Sequence, residues 1–187
     1  MELLECEVVA GLSLEGCWDL YHRAFEGLRS QAVQRHLMYR DEFDDVMADK
    51  RVAKLVVTDR SGGVERLAAV ATFTNHLDAV PLVSPEYFRA RWPELYDAGL
   101  IWYVGFLAID PDYWRTSASA LLVRTICSAP AASGGIVGVD ICEFNESTQR
   151  MSTGLLRLGR AVSTETTLHR LDAQVFWAYE FPRPDDA

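Results

Sequence analysis

Apolar and polar positions recur along this chain in two periods, and the switches between them mark its elements. Glu5–Ala10 is short and alternating and predicts a first strand. Behind Ser13 as N-cap, Leu14, Cys17, Trp18, Tyr21, His22 and Phe25 recur at helical spacing. A second stripe, Val33, Leu37, Phe43, Val46 and Met47, predicts a helix from Ser30 to about Ala48. Val52–Thr58 and Val64–Asn75 are β-branched and apolar. The turn Asp59-Arg60-Ser61-Gly62-Gly63 joins them as an antiparallel hairpin. Ser84-Pro85-Glu86 then opens a short helix, with Pro at the first helical position. Tyr87, Phe88, Trp92, Leu95 and Tyr96 share one of its faces. Leu100–Ile109 is a long apolar strand broken by Gly105, the mark of a bulge or of a close approach by another backbone or a ligand. A helix from Arg115 to about Ser128 follows, then a buried strand at Gly135–Phe144 and a helix from Asn145 to about Leu158. Val162–Arg170 and Ala173–Phe181 read as closing antiparallel strands.

Strands alternating with helices predict one layered α/β (α+β) domain, a mixed, mostly antiparallel sheet flanked by helices. It covers residues 1–182, with 76–99 inserted between two strands and 183–187 as a frayed tail. The aromatic-rich insertion either caps a pocket or packs on the core. A length of 187 residues suits a single domain.

Composition narrows the function. Apolar residues are 49% and charged residues 24% of the chain, as in ordinary globular proteins. No apolar run reaches the roughly 18 residues of a membrane span. The start, MELLECEVVA, lacks a basic n-region. The expected location is cytoplasmic, without a membrane partner. The net charge is -9, and Lys50 and Lys54 are the only lysines. A nucleic-acid partner is therefore not expected, since phosphate binding needs clustered cations. The acidity serves solubility first and suits an amine substrate only weakly. Cysteines at 6, 17, 127 and 142 form no C-x-x-C pair and have no His at ligand spacing, so no metal site is expected. Cys127 and Cys142 lie in apolar runs and read as small core residues.

One stretch carries candidate chemistry. In LAIDPDYWRTSASALLV, residues 107–123, a strand ends near a proline and small hydroxyl residues open a helix. Free amides at a helix N-terminus, with the helix dipole behind them, suit a diphosphate. The same stretch also reads as a Ser-capped amphipathic helix.

This segment and the element order around it resemble the GNAT superfamily of acyl-coenzyme A N-acyltransferases. In that family a strand ends at a proline and enters a Q/R-x-x-G-x-G/A loop before a helix. Two registers fit here. Counted from Pro111, the first loop position is Trp114 and the glycine positions are Ser117 and Ser119. One residue later, Arg115-Thr116-Ser117-Ala118-Ser119-Ala120 places the basic residue and puts Ala at both glycine positions. Both stay open, and Ser and Ala reach φ > 0 less readily than Gly. The resemblance covers most of the chain in element order and Leu100–Asn145 in motif detail.

The resemblance implies acetyl-CoA, or a longer acyl-CoA, as co-substrate. It implies Arg115, Thr116, Ser117, Ala118, Ser119 and Ala120 around the diphosphate. The backbone of Leu107, Ala108 and Ile109 would lie along the pantetheine arm and donate to the thioester carbonyl. In DICEFNESTQRM, Asn145 stands where the family often has an Asn between strand and helix, and the strands on either side should splay for the acyl chain. Seven residues later the family often has a Tyr that protonates the leaving thiolate; Ser152 stands there, a poorer acid.

Amine acylation also needs a base. Glu143 is the first candidate, acting through water, although a salt bridge to a nearby Arg would equally account for it. His76, at the mouth of the insertion, is the second. Asp140 reads as a paired structural acid, Asp110 as a strand end, His22 and His36 as packing or surface residues, and His169 as structural. Trp102, Tyr103, Tyr113 and Trp114 surround the loop and either line a site or fill the core.

The leading expectation is an N-acyltransferase acting on a primary amine, a small molecule or a peptide. The insertion and helical N-terminal half also look somewhat like N-acyl amino acid and acyl-homoserine lactone synthases, which share the fold and use long-chain donors. A non-catalytic acyl-CoA binding module and a protein-interaction domain are the alternatives. A homodimer is among the states left open.

Overall fold

The computed structural model describes residues 4–8, 16–61, 63–81, 83–114 and 116–181. Ser13 and Arg115 lie outside them. The described strands form one sheet in the order β1-β2-β3-β4-β5: β1 Leu4–Val8, β2 Ala53–Asp59, β3 Arg66–Thr74, β4 Ile101–Ile109 and β5 Ile136–Val139. All neighbours are antiparallel except β4 and β5, which are parallel. The predicted hairpin is β2–β3.

Helices cover both faces. On one lie α1 (Cys17–Phe25) and α2 (Arg40–Ala48), whose Leu20, Tyr21, Phe43 and Met47 pack on Val56, Val70, Phe106 and Ala108. On the other lies α5 (Ala118–Ser133), whose Ala118, Leu122 and Ile126 pack on Leu55, Val57, Ala71 and Val104. The insertion carries α3 (Pro85–Arg91) and α4 (Pro93–Asp97). Ser84 Oγ caps α3 by accepting from Tyr87 N–H at 3.3 Å. Pro93 divides the predicted single helix, because the residue before a proline is pushed out of helical backbone. Phe88 packs with Leu77, Ile101 and Tyr103, so the insertion builds core.

Four expectations need correction. Only the second half of the predicted 30–48 helix is helical. Buried Tyr21 donates its hydroxyl to the His36 carbonyl and accepts from Met38 N–H, both at 2.9 Å. That holds the preceding segment irregular and leaves Val33 78% exposed. The strand predicted at 135–144 stops at Val139. The helix predicted from Asn145 is two helices, α6 (Glu143–Gln149) and α7 (Met151–Arg160), broken at Arg150 with φ 49° and ψ 48°. Neither closing strand is present: residues 166–181 form neither helix nor strand. Among the described residues, no helix is long and apolar enough to cross a membrane.

Candidate active site

Strands β4 and β5 run side by side only from Ile101/Ile136 to Val104/Val139. Beyond that β5 ends, while β4 continues as Gly105–Ile109, paired among the described residues with β3 alone. The pairing of the two parallel strands thus ends with β5, and the chain leaves their carboxyl ends toward α5 and α6. Crevices at this place in α/β sheets are where ligands bind.

A bulge sets up the open edge. Thr72 pairs with Phe106 but Phe73 pairs with Val104, so Gly105 is the extra residue. The extra residue inverts the strand's faces. Trp102 and Val104 look toward α5, and so do Leu107 and Ile109; Phe106 and Ala108 look toward α1 and α2. Glycine is needed for close approach, since a Cβ there would lie 2.6 Å from Thr72 Oγ1. Thr72 Oγ1 instead accepts the Phe106 N–H at 3.1 Å.

Antiparallel ladders alternate which residues bond across. Asp110 N–H bonds to the Ala68 carbonyl at 2.9 Å. By that parity Ala108 turns its backbone to β3, and Leu107 and Ile109 turn theirs to the open side. Trp114 confirms the direction, donating its indole N–H to the Ile109 carbonyl at 3.1 Å. The open edge therefore offers the Leu107 amide and carbonyl and the Ile109 amide. Ala108, expected to line the cofactor arm, does not face it.

The loop into α5 is fixed at two points. Buried Asp110 accepts from Arg23 Nη2 at 2.5 Å and from Asp112 N–H at 3.0 Å. Tyr113 donates to Asp59 Oδ2 at 2.8 Å. Loss of solvent, and then the Asp59 carboxylate, push the Tyr113 phenol up to about 12. Ser117 has φ -75° and ψ 0°, ordinary right-handed backbone, so the absent glycine is not missed there. In the first turn of α5, the Ala118 amide is taken by Thr116 Oγ1 at 3.2 Å. The Ser119 and Ala120 amides have no acceptor among the described residues.

The candidate acid–base residues fare differently. Glu143 is exposed in the first turn of α6, at the crevice end of β5, rather than at the end of a buried strand. Asp140 is exposed, not deep in a strand, and accepts from Tyr103 Oη at 3.2 Å. Burial first, and Asp140 second, raise the Tyr103 phenol. Asn145 is half-buried on α6. Ser152 is committed elsewhere: its hydroxyl donates to Glu146 Oε1 at 2.7 Å and its amide to Glu146 Oε2 at 3.0 Å. Those bonds lower the Glu146 pKa and cap α7 across the Arg150 break.

His76 does not join the site. It follows β3, and Thr74 pairs with Tyr103 whereas Ala69 pairs with Ile109. At about 3.3 Å per residue, that places it roughly 20 Å along the sheet from Ile109. Trp102 stacks on Phe73 at 6.4 Å and Tyr103 is buried, so both serve the core. His169 is exposed and not on a strand. Sequence reasoning missed Thr72, Glu146 and the Trp114 bond, whose signals are cross-strand or five to six residues apart. A shallow concavity of about 400 Å³ beside α1 is lined by Trp18, His22 and the 32–40 segment. Its Arg35 and Arg40 already hold Glu42 and Asp44.

The architecture is the GNAT fold. Among solved structures, the chain is similar to the aminoglycoside N-acetyltransferase AAC(6')-Iy in complex with CoA, with TM-score 0.56, 10% identity and 97% of each chain covered. It is also similar to the aminoglycoside acetyltransferase meta-AAC0020 from an uncultured soil metagenomic sample, in complex with sisomicin (TM-score 0.54, 14% identity, 95% of this chain and 97% of that one). A third is the ribosomal-protein-S18-alanine N-acetyltransferase from Escherichia coli (TM-score 0.52, 13% identity, 82% and 76%). No family model matches the chain, and no curated protein matches it.

Proposed function

We propose that this protein is an N-acyltransferase that moves an acyl group, by default acetyl, from acyl-coenzyme A to a primary amine on a small molecule or peptide. The observation that carries the reading is the end of β4–β5 pairing after Val104, which leaves the Leu107 and Ile109 backbone without a strand partner on that side among the described residues, beside the start of α5. Likeness in fold to enzymes that include a CoA-bound acetyltransferase supports it.

In this reading the pantetheine arm pairs with Leu107 and Ile109 as an added strand, and the diphosphate rests on the first turn of α5 with Arg115, Thr116 and Ser117. The neutral amine attacks the thioester carbonyl carbon. A backbone amide of the open edge stabilises the developing oxyanion. The C–N bond forms, the C–S bond breaks, and the amine proton passes through water to Glu143. With Ser152 held by Glu146, the thiolate leaves without a side-chain acid.

That last point favours a second reading, a module that binds acyl-coenzyme A without turning it over. Calorimetric titration with acetyl-, octanoyl- and palmitoyl-CoA, paired with thiol release over a panel of amines, separates the two. Binding with thiol release supports the transferase. Binding without release supports the module. No binding overturns both. Arg115→Glu places like charge beside the diphosphate and is expected to weaken binding; unchanged affinity removes the loop from the site.

A further inference from the structure

Asp110 joins three parts of the molecule. Its amide bonds to the Ala68 carbonyl of β3 at 2.9 Å, and its carbonyl accepts the Tyr113 N–H at 2.8 Å. The residue is 7% exposed, and its two carboxylate oxygens are divided. Oδ1 accepts the Asp112 N–H at 3.0 Å, and Oδ2 accepts from Arg23 Nη2 at 2.5 Å. Arg23, its side chain 55% exposed, stands on α1, which Leu20 and Tyr21 pack onto the sheet. From Asp110 the bonds run on into α5. The Tyr113 carbonyl accepts from Thr116 N–H at 3.1 Å and from Thr116 Oγ1 at 2.8 Å. Thr116 Oγ1 in turn takes the Ala118 amide at 3.2 Å. The next two amides, of Ser119 and Ala120, are those left without an acceptor among the described residues. A helix fixed to the sheet is thus tied, bond by bond, to the turn whose amides face a ligand.

We propose that Arg23 is a positioning residue for the cofactor: through Asp110 it sets where the first-turn amides of α5 point, and so how tightly they hold the diphosphate of an acyl-CoA. It acts through Asp110 and not by contact with the diphosphate. The inference rests on the reading that the diphosphate sits on that turn. Without Arg23, Asp110 is a buried carboxylate with no counter-ion. It then turns toward water, and the Asp112 and Tyr113 bonds that share the residue shift with it. Coupling between distant groups is carried by contiguous networks of this kind. Amides already held in place bind their ligand at a smaller ordering cost.

Calorimetry with coenzyme A, paired with the amide resonances of the free protein, tests it on two variants of the full chain. Arg23→Ala removes a positive charge, and Asp110→Asn removes a negative one. Simple attraction for an anion would make the first weaker and the second tighter. Loss of positioning makes both weaker, by roughly tenfold, and moves the Ser119 and Ala120 amide resonances before any ligand is added. Should Arg23→Ala not fold, Asp110→Asn, which leaves no buried charge unpaired, is read alone: weaker binding supports the proposal, and equal or tighter binding overturns it. Arg23→Ala that binds as the parent does overturns the proposal and leaves the transferase reading intact. Opposite effects of the two variants do the same, since they mark charge alone. So does lost affinity with unmoved Ser119 and Ala120 resonances, which marks direct contact. A parent that binds no coenzyme A overturns both the proposal and the reading beneath it.

Discussion

Gly105→Ala probes the bulge that creates the open edge. A Cβ on Gly105 lies 2.6 Å from Thr72 Oγ1 but 3.8 Å from Thr72 Cβ, so the clash is with the hydroxyl alone. Two relaxations are available. Thr72 rotates away, and the buried Phe106 amide loses its acceptor, which costs about 1–3 kcal/mol. Alternatively β3 and β4 shift apart, and overpacking of this kind costs about 1–3 kcal/mol. Either way the substitution loses about 1–3 kcal/mol, read from the urea midpoint at constant slope. In a Thr72→Ala background the hydroxyl is gone and the amide is already unpaired. Gly105→Ala there costs less than about 0.5 kcal/mol, a coupling of the size neighbouring residues show. An equal loss in both backgrounds refutes the reasoning, and so does a neutral Gly105→Ala in the parent.

The remaining predictions concern α6 and its junction with α7. Glu146 is held below its usual pKa by Ser152. A depressed carboxylate contributes stability above its unfolded pKa and loses it as pH falls through the folded value. Ser152→Ala is therefore expected to lower Tm at pH 7, with the gap closing as the pH drops below the ordinary carboxylate range; a gap constant with pH contradicts the cap. Glu143→Gln is expected to slow acylation at neutral pH and to recover partly at high pH, where the amine is already deprotonated. A pH–rate profile parallel to the parent's removes Glu143 as base.

The central elements were legible because their signals are local. Apolar runs, the Asp59–Gly63 turn and the Ser84-Pro85 start place β2, β3, α3 and β4, and a lone glycine in an apolar strand announced the bulge. The losses come from contacts distant in sequence. Tyr21 holds the 31–39 segment irregular through His36 and Met38, and nothing in that segment's own periodicity reports it. The alternation of 173–181 is real, but alternation names a strand-forming face and not its partner. At the site, strand order led to the edge, whereas parity along β4 decided which amides face it. That parity depends on the bulge's register against Thr72, which spacing alone does not encode. The distance of His76 followed only from the antiparallel pairing of β3 with β4.

Residue-resolved hydrogen exchange of β4, with and without coenzyme A, tests the central claim most directly. The Leu107 and Ile109 amides face the open side; they should exchange quickly in the free protein and become protected when the pantetheine arm pairs with them. The Ala108 amide, bonded toward β3, should be slow in both states. Protection of Leu107 and Ile109 that does not change with coenzyme A, at concentrations where calorimetry shows binding, would place the cofactor elsewhere and contradict the account.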